Sequence, residues 1–157
     1  MTVTNPDLLI PVESVMQRHP VSIRQDESIQ DAVDRMTEHH LSALPVVDDG
    51  NFLEGIVSIS DLLRVMQDAE QTLDSDLAIH DTTLVVTDLI RATIGTDEIR
   101  NVSTGQTVTV QQGTSMHEVA KLMIEHQVHH LPVINKERRL LGIVSAIDFV
   151  RLAVDGT

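Results

Sequence analysis

Two serine–aspartate pairs stand in matching surroundings: Ser58 and Asp61 in GIVSISDLLR, residues 55–64, and Ser145 and Asp148 in GIVSAIDFVR, residues 142–151. A carboxylate at the start of a helix can accept two hydrogen bonds from a vicinal diol, with the serine hydroxyl close by. It can equally do no more than complement the helix dipole, for about 0.3–1 kcal/mol. Gly55 and Gly142 admit close approach of backbone or ligand in mid-strand, or serve sheet packing alone. Histidines form a second group, with His126, His129 and His130 reading H-x-x-H-H and His39-His40 echoing part of it. His39 and His126 fall where a helix ends, a position its dipole favours. His129 and His130 come after that helix, so its spacing does not unite three imidazoles on one face, and we expect no metal site. No nucleophile–base pair, phosphate loop or metal triad stands out, so we expect no catalysis.

The elements that position these groups occur twice. Shifted by 87 places, residues 21–64 align without a gap on 108–151, with 16 of 44 positions identical. VESVM (12–16) over IRNVS (99–103) extends the register more weakly. Such self-similarity marks a duplicated supersecondary unit. In each copy VSI (21–23) or VTV (108–110) predicts a short strand. Ser28-x-x-Asp31 and Ser115-x-x-Glu118 resemble capping boxes. The helices they open carry Ile29, Ala32, Val33 and Met36, and Met116, Val119, Ala120 and Met123, at helical spacing. LPVV (44–47) and LPVI (131–134) predict a buried strand, paired in a hairpin with LEGIVS (53–58) and LLGIVS (140–145). A last helix begins near Asp61 or Asp148, the first copy turning Leu62, Val65, Met66 and Ala69 inward. The fold class expected is α/β (α+β), two β-α-β-β-α repeats each preceded by a short helix.

Between the copies, residues 67–98 carry eight acids, one Arg and one Gly, unlike a flexible linker. Val86, Leu89, Ile90 and Thr93 predict a helix there, either capping an apolar edge or docking a partner.

Composition narrows the function. A formal net charge of −13 opposes nucleic-acid binding and docking on an anionic membrane. The absence of Cys excludes disulfides and thiolate sites, and the absence of Trp and Tyr leaves a flat ligand to be held by aliphatic side chains and backbone. No window approaches the roughly 18 apolar residues of a membrane span, and we expect a cytoplasmic protein.

The V-x-x-V-M opening, the PVSI strand, E-H-x-x-x-LPVV and GIVS-x-x-D together resemble the cystathionine β-synthase (CBS) domain, and two in tandem resemble the CBS pair, or Bateman module. The resemblance covers residues 12–66 and 99–153, with 67–98 as an insert longer than the usual connector, and departs from the family where Ser103 replaces the methionine of the first opening. It implies repeats packed with pseudo-twofold symmetry and a stand-alone module that forms a homodimer. It implies a regulatory sensor that takes an adenosyl ligand (AMP, ADP, ATP or S-adenosylmethionine), needs no cofactor and acts on a partner protein. By that resemblance Asp61 and Asp148 hold the ribose, Ser58 and Ser145 lie near sugar or phosphate, and the backbone of Ser22–Ile23 and Thr109–Val110 holds the adenine edge. His129 and His130, where the first copy has Ser42-Ala43, would reach phosphates when protonated. We therefore expect two unequal sites, one of them empty, and an acidic field that suits AMP or S-adenosylmethionine better than ATP. Lys136, Arg138 and Arg139 fall on the hairpin turn, in solvent unless they reach phosphate. The alternative is a ligand-free scaffold, favoured by Ser42-Ala43.

Overall fold

The computed structural model of the chain describes residues 5–70, 83–103 and 107–156. In order its elements are β1 (Gln17–Arg18), α1 (Ile29–Glu38), β2 (Ala43–Val47), β3 (Leu53–Ser58), α2 (Ile59–Glu70), α3 (Thr83–Ile94), β4 (Val110–Gln111), α4 (Met116–His126), β5 (His130–Ile134), β6 (Leu140–Ser145) and α5 (Ala146–Asp155). This is the mixed α and β architecture expected. The chain forms two compact units that do not follow the sequence halves. A C-terminal unit gathers residues 5–20, 47–53 and 107–156, and an N-terminal unit gathers 21–46 and 54–103.

The C-terminal unit is built on a four-stranded sheet, β1-β6-β5-β4, antiparallel except where β4 runs parallel to β5. Met116, Val119 and Met123 of α4 are buried against Leu131, Val133 and Val144, with Val12 and Met16 closing the cluster. Ala120, expected on the same stripe, is half-buried. The opening segment is stitched in by backbone, the Val12 N–H donating to the Thr114 carbonyl at 2.8 Å and the Met116 N–H to the Ile10 carbonyl at 2.9 Å. A Cβ at Gly142 would stand 2.7 Å from the Gln17 carbonyl oxygen and 2.7 Å from the Met16 sulfur. The glycine therefore admits β1 itself.

The N-terminal unit repeats this stitching with residues 97–99 as its opening segment. The Ile99 N–H donates to the Glu27 carbonyl at 2.9 Å and the Ile29 N–H to the Asp97 carbonyl at 2.9 Å. Strands β2 and β3 pair, and Ile23 bridges Val46 in parallel as Val110 does Val133. Ile29, Ala32, Val33 and Met36 of α1 are all buried, as are Leu62 and Met66 of α2, while Val65 is half-buried. Helix α3 adds Ile90 and Ile94 to that core, and its Arg91 donates to Asp34 of α1 at 2.8 Å. Residues 71–82 of the insert, and the side chains of Ala69 and Val86, lie outside the described residues.

Three local expectations change. VSI and VTV shrink to one isolated bridge and a two-residue strand, because turns at 25–26 and 112–113 carry the chain off to the next helix cap. The opening helices are single 3-10 turns, Val12–Ser14 and Ile99–Asn101. Ser28 and Asp31 close a complete capping box, but at Ser115 only half forms: the Glu118 N–H reaches the hydroxyl at 3.3 Å while its carboxylate turns to Lys121.

Candidate ligand site

Strand pairing sets His130 opposite Ser145, at the end of the sheet where β6 passes directly into α5. The Ser145 backbone N–H and hydroxyl donate to Asp148 Oδ2 at 2.8 and 3.2 Å. Arg151 Nη1 donates to the other oxygen, Oδ1, at 3.2 Å. Asp148 is only 7% exposed, which makes it one of two buried polar residues among those described. The His129 carbonyl accepts from the Ala146 N–H at 2.9 Å, leaving its imidazole in solvent. His130 is half-buried. Burial, and then the charge of His129, hold its pKa below the ordinary histidine value, while Asp148 pulls the other way. A neutral imidazole at neutral pH both donates and accepts one hydrogen bond. Thr109 leads into β4 half-buried, and the Val110 side chain is buried, so Val110 offers only backbone.

The equivalent end of the N-terminal unit has the same chemistry. The Ser58 N–H and hydroxyl donate to Asp61 Oδ2 at 3.0 and 2.8 Å, the Asp61 N–H returns to the hydroxyl at 3.2 Å, and Arg64 lies 3.5 Å from Oδ1. Two backbone groups of the segment before α1 are engaged within the unit. The Ser22 carbonyl accepts from Arg35 Nη1 at 3.0 Å, and the Ile23 N–H donates to the Pro45 carbonyl at 3.0 Å.

Both aspartates thus cap their own helices through one oxygen and keep the other on an exposed arginine three places on. The S-x-x-D-x-x-R spacing carries this cap in each copy, beside the capping boxes read at Ser28 and Ser115. The hairpin arginines are exposed, and each side chain makes a contact. Arg138 Nη2 donates to the Leu53 carbonyl at 3.5 Å, and the Arg139 guanidinium lies 4.9 Å from the centre of the Phe52 ring. Among the described residues no three His, Asp or Glu side chains gather into a metal-holding group, and no helix is long and apolar enough to cross a membrane.

A family model for the CBS domain matches residues 12–68 and 99–155. The chain belongs to the CBS-domain family and carries the domain as a pair. The structure of the AcuB protein of Vibrio cholerae superposes with a TM-score of 0.74 at 28% identity, covering 94% of each chain. The chloroplastic CBS domain-containing protein CBSX2 of Arabidopsis thaliana is 29% identical over 139 residues, which are 84% of this chain and 58% of CBSX2. A structure of CBSX2 in complex with AMP superposes with a TM-score of 0.70 at 26% identity, over 92% of this chain and 96% of that one. The protein MJ1225 of Methanocaldococcus jannaschii is 25% identical over 142 residues, covering 90% of this chain and 42% of its own length. The chain therefore spans about half the length of these two relatives.

Proposed function

We propose that this CBS pair is a regulatory sensor of a small adenosyl ligand, AMP or S-adenosylmethionine before ADP or ATP, acting through a homodimer on a partner protein. The observation that carries the proposal is the buried Asp148 at the strand end it shares with Ser145 and His130, in a fold whose relative CBSX2 takes AMP. Ser145 keeps the carboxylate oriented through Oδ2, and a ribose diol would take Oδ1 from the exposed Arg151. The net charge of −13 favours the least charged of the nucleotides. A ligand shifts the module only as far as it binds one arrangement of the repeats better than another. No step of this reading needs catalysis or a cofactor.

The dimer would form through the α4–α5 face. Ile124, Ile147, Val150 and Val154 are exposed there, beside an apolar groove of about 500 Å³ lined by Met123, Val128 and Phe149. Contiguous exposed apolar residues of this kind mark interaction surfaces.

The scaffold reading has its own support, since the Ser22 carbonyl and the Ile23 N–H are already bonded inside the protein. Calorimetric titration with AMP separates the two. Saturable binding, weakened in Asp148→Asn, supports the sensor; no heat at millimolar AMP supports the scaffold.

A further inference from the structure

We propose a second site, for a small hydroxylated phosphate ester, in a cavity at the opposite end of the C-terminal sheet from Asp148. The cavity holds about 570 Å³ and is walled by Glu13, Arg18, His19, Gln112, Arg139 and Leu141, with Met16 and Asn51 at its edge. Strand pairing separates the two places. Gln111 and Leu140 both lie across from Ile134, whereas Ser145 lies across from His130, so β5 runs between them for about 13 Å at roughly 3.3 Å per residue.

Three observations assign the ligand class. The first is unbalanced positive charge in an acidic chain. Arg24, Arg35, Arg64, Arg91, Arg100 and Arg151 each pair with a carboxylate, whereas Arg18, Arg138 and Arg139 have no such partner among the described residues. Two of those three line this cavity. The second is preorganisation. The Arg139 guanidinium lies 4.9 Å from the centre of the Phe52 ring, a cation–π contact that spends none of its N–H donors, and a guanidinium meets an oxyanion through two of these. Arg18 is tied only by a long bond, 3.4 Å, to the Glu13 carbonyl, and can swing in. His19, held at φ 50° directly before Pro20, adds an imidazole on the same rim. That backbone conformation is unfavourable for such a residue and persists only where its surroundings dictate it.

The third is a demand for a donor. Glu13 Oε2 is buried and takes no hydrogen bond among the described residues. A bare oxyanion would repel it, but an ester carrying hydroxyls would satisfy it while giving its phosphate to Arg18 and Arg139. Two guanidiniums and an imidazole suit a phosphate better than a carboxylate, because a phosphate offers three oxygens.

Glycerol 3-phosphate, inorganic phosphate and lactate are the probes, each titrated into the whole protein and followed by calorimetry and by amide chemical shifts. Glycerol 3-phosphate is expected to bind most tightly and to move the amides of Arg18, His19, Gln112 and Arg139. Arg18→Gln and Arg139→Gln are each expected to weaken it about tenfold or more, as the loss of a charge-assisted hydrogen bond does. Glu13→Gln should narrow its advantage over inorganic phosphate, with the fold monitored by the same spectra. The proposal is overturned if no probe moves those amides at millimolar concentration, if both arginine variants bind as wild type does, or if lactate binds best. AMP titrated into Arg18→Gln keeps the two sites apart: its affinity should be unchanged there and reduced in Asp148→Asn.

Discussion

Asp148 Oδ2 accepts two hydrogen bonds from Ser145, at 2.8 Å from the backbone and 3.2 Å from the hydroxyl, and Asp61 does the same for Ser58 in the earlier copy. One carboxylate oxygen in each repeat thus secures the passage from strand to helix, and the other remains for Arg151 or a ligand. The capping role thus falls on one oxygen, and the ligand contact we propose would fall on the other.

Removing that carboxylate should cost stability even without ligand. Asp148→Ala loses a helix-capping acceptor at a buried position, for about 1–2 kcal/mol. At roughly 2–4 °C per kcal/mol for a chain of this size, thermal unfolding should begin several degrees lower. Asp148→Asn keeps an acceptor and should lose less, which makes it the better probe of binding.

Gly142→Ala should also destabilise, because the new methyl would meet the Gln17 carbonyl and the Met16 sulfur at 2.7 Å. Overpacking of this kind costs about 1–3 kcal/mol. Urea unfolding of the variant should show a lower midpoint, and an unchanged midpoint would mean that β1 is free to move aside.

Glu27 gives the N-terminal unit an acid-sensitive tie. Its hydrogen bond with Arg35 is the main reason its pKa lies below the ordinary value, 4.5, and burial opposes the shift. The unfolded chain therefore takes up the proton at the higher pH. The stabilisation is complete above about 4.5 and is lost as pH falls through the lower folded value. Glu27→Gln should flatten this part of an acid unfolding profile recorded beside wild type.

His130 should titrate below 6.5 in an NMR pH series, since burial and His129 both lower its pKa. Its unfolded form binds the proton first, so its contribution is intact above 6.5 and is lost as pH falls through the folded value. Because Asp148 opposes the shift, Asp148→Asn should lower the midpoint further and His129→Gln should raise it. A midpoint that ignores Asp148 would mean the two groups do not face each other.

The duplication was legible because α1 and α4 both need an apolar stripe at helical spacing and β2 and β5 both need LPV, so the same physical demands recur 87 residues apart. The division into units was not. Val12 and Met16 open the first copy but are buried in the unit of the second, and hydrophobic periodicity says that a residue is buried without saying against what. The same limit hid Arg139. An arginine on a hairpin turn reads as solvated until the chain brings Phe52 beneath it, 87 places away. For Asp61 and Asp148 the sequence offered a helix-dipole role and, by resemblance, a ribose contact, whereas the geometry shows a cap.

The central claim is that the second repeat holds an adenosyl ligand through Asp148. Thermal unfolding of wild type, Asp61→Asn and Asp148→Asn, each with and without AMP, tests it most directly. A ligand at 100 times its dissociation constant stabilises by about 2.7 kcal/mol, several degrees here. We expect that rise in wild type and in Asp61→Asn, and its loss in Asp148→Asn relative to that variant's own ligand-free midpoint. An equal rise in all three proteins, or none in any at millimolar AMP, would contradict the claim.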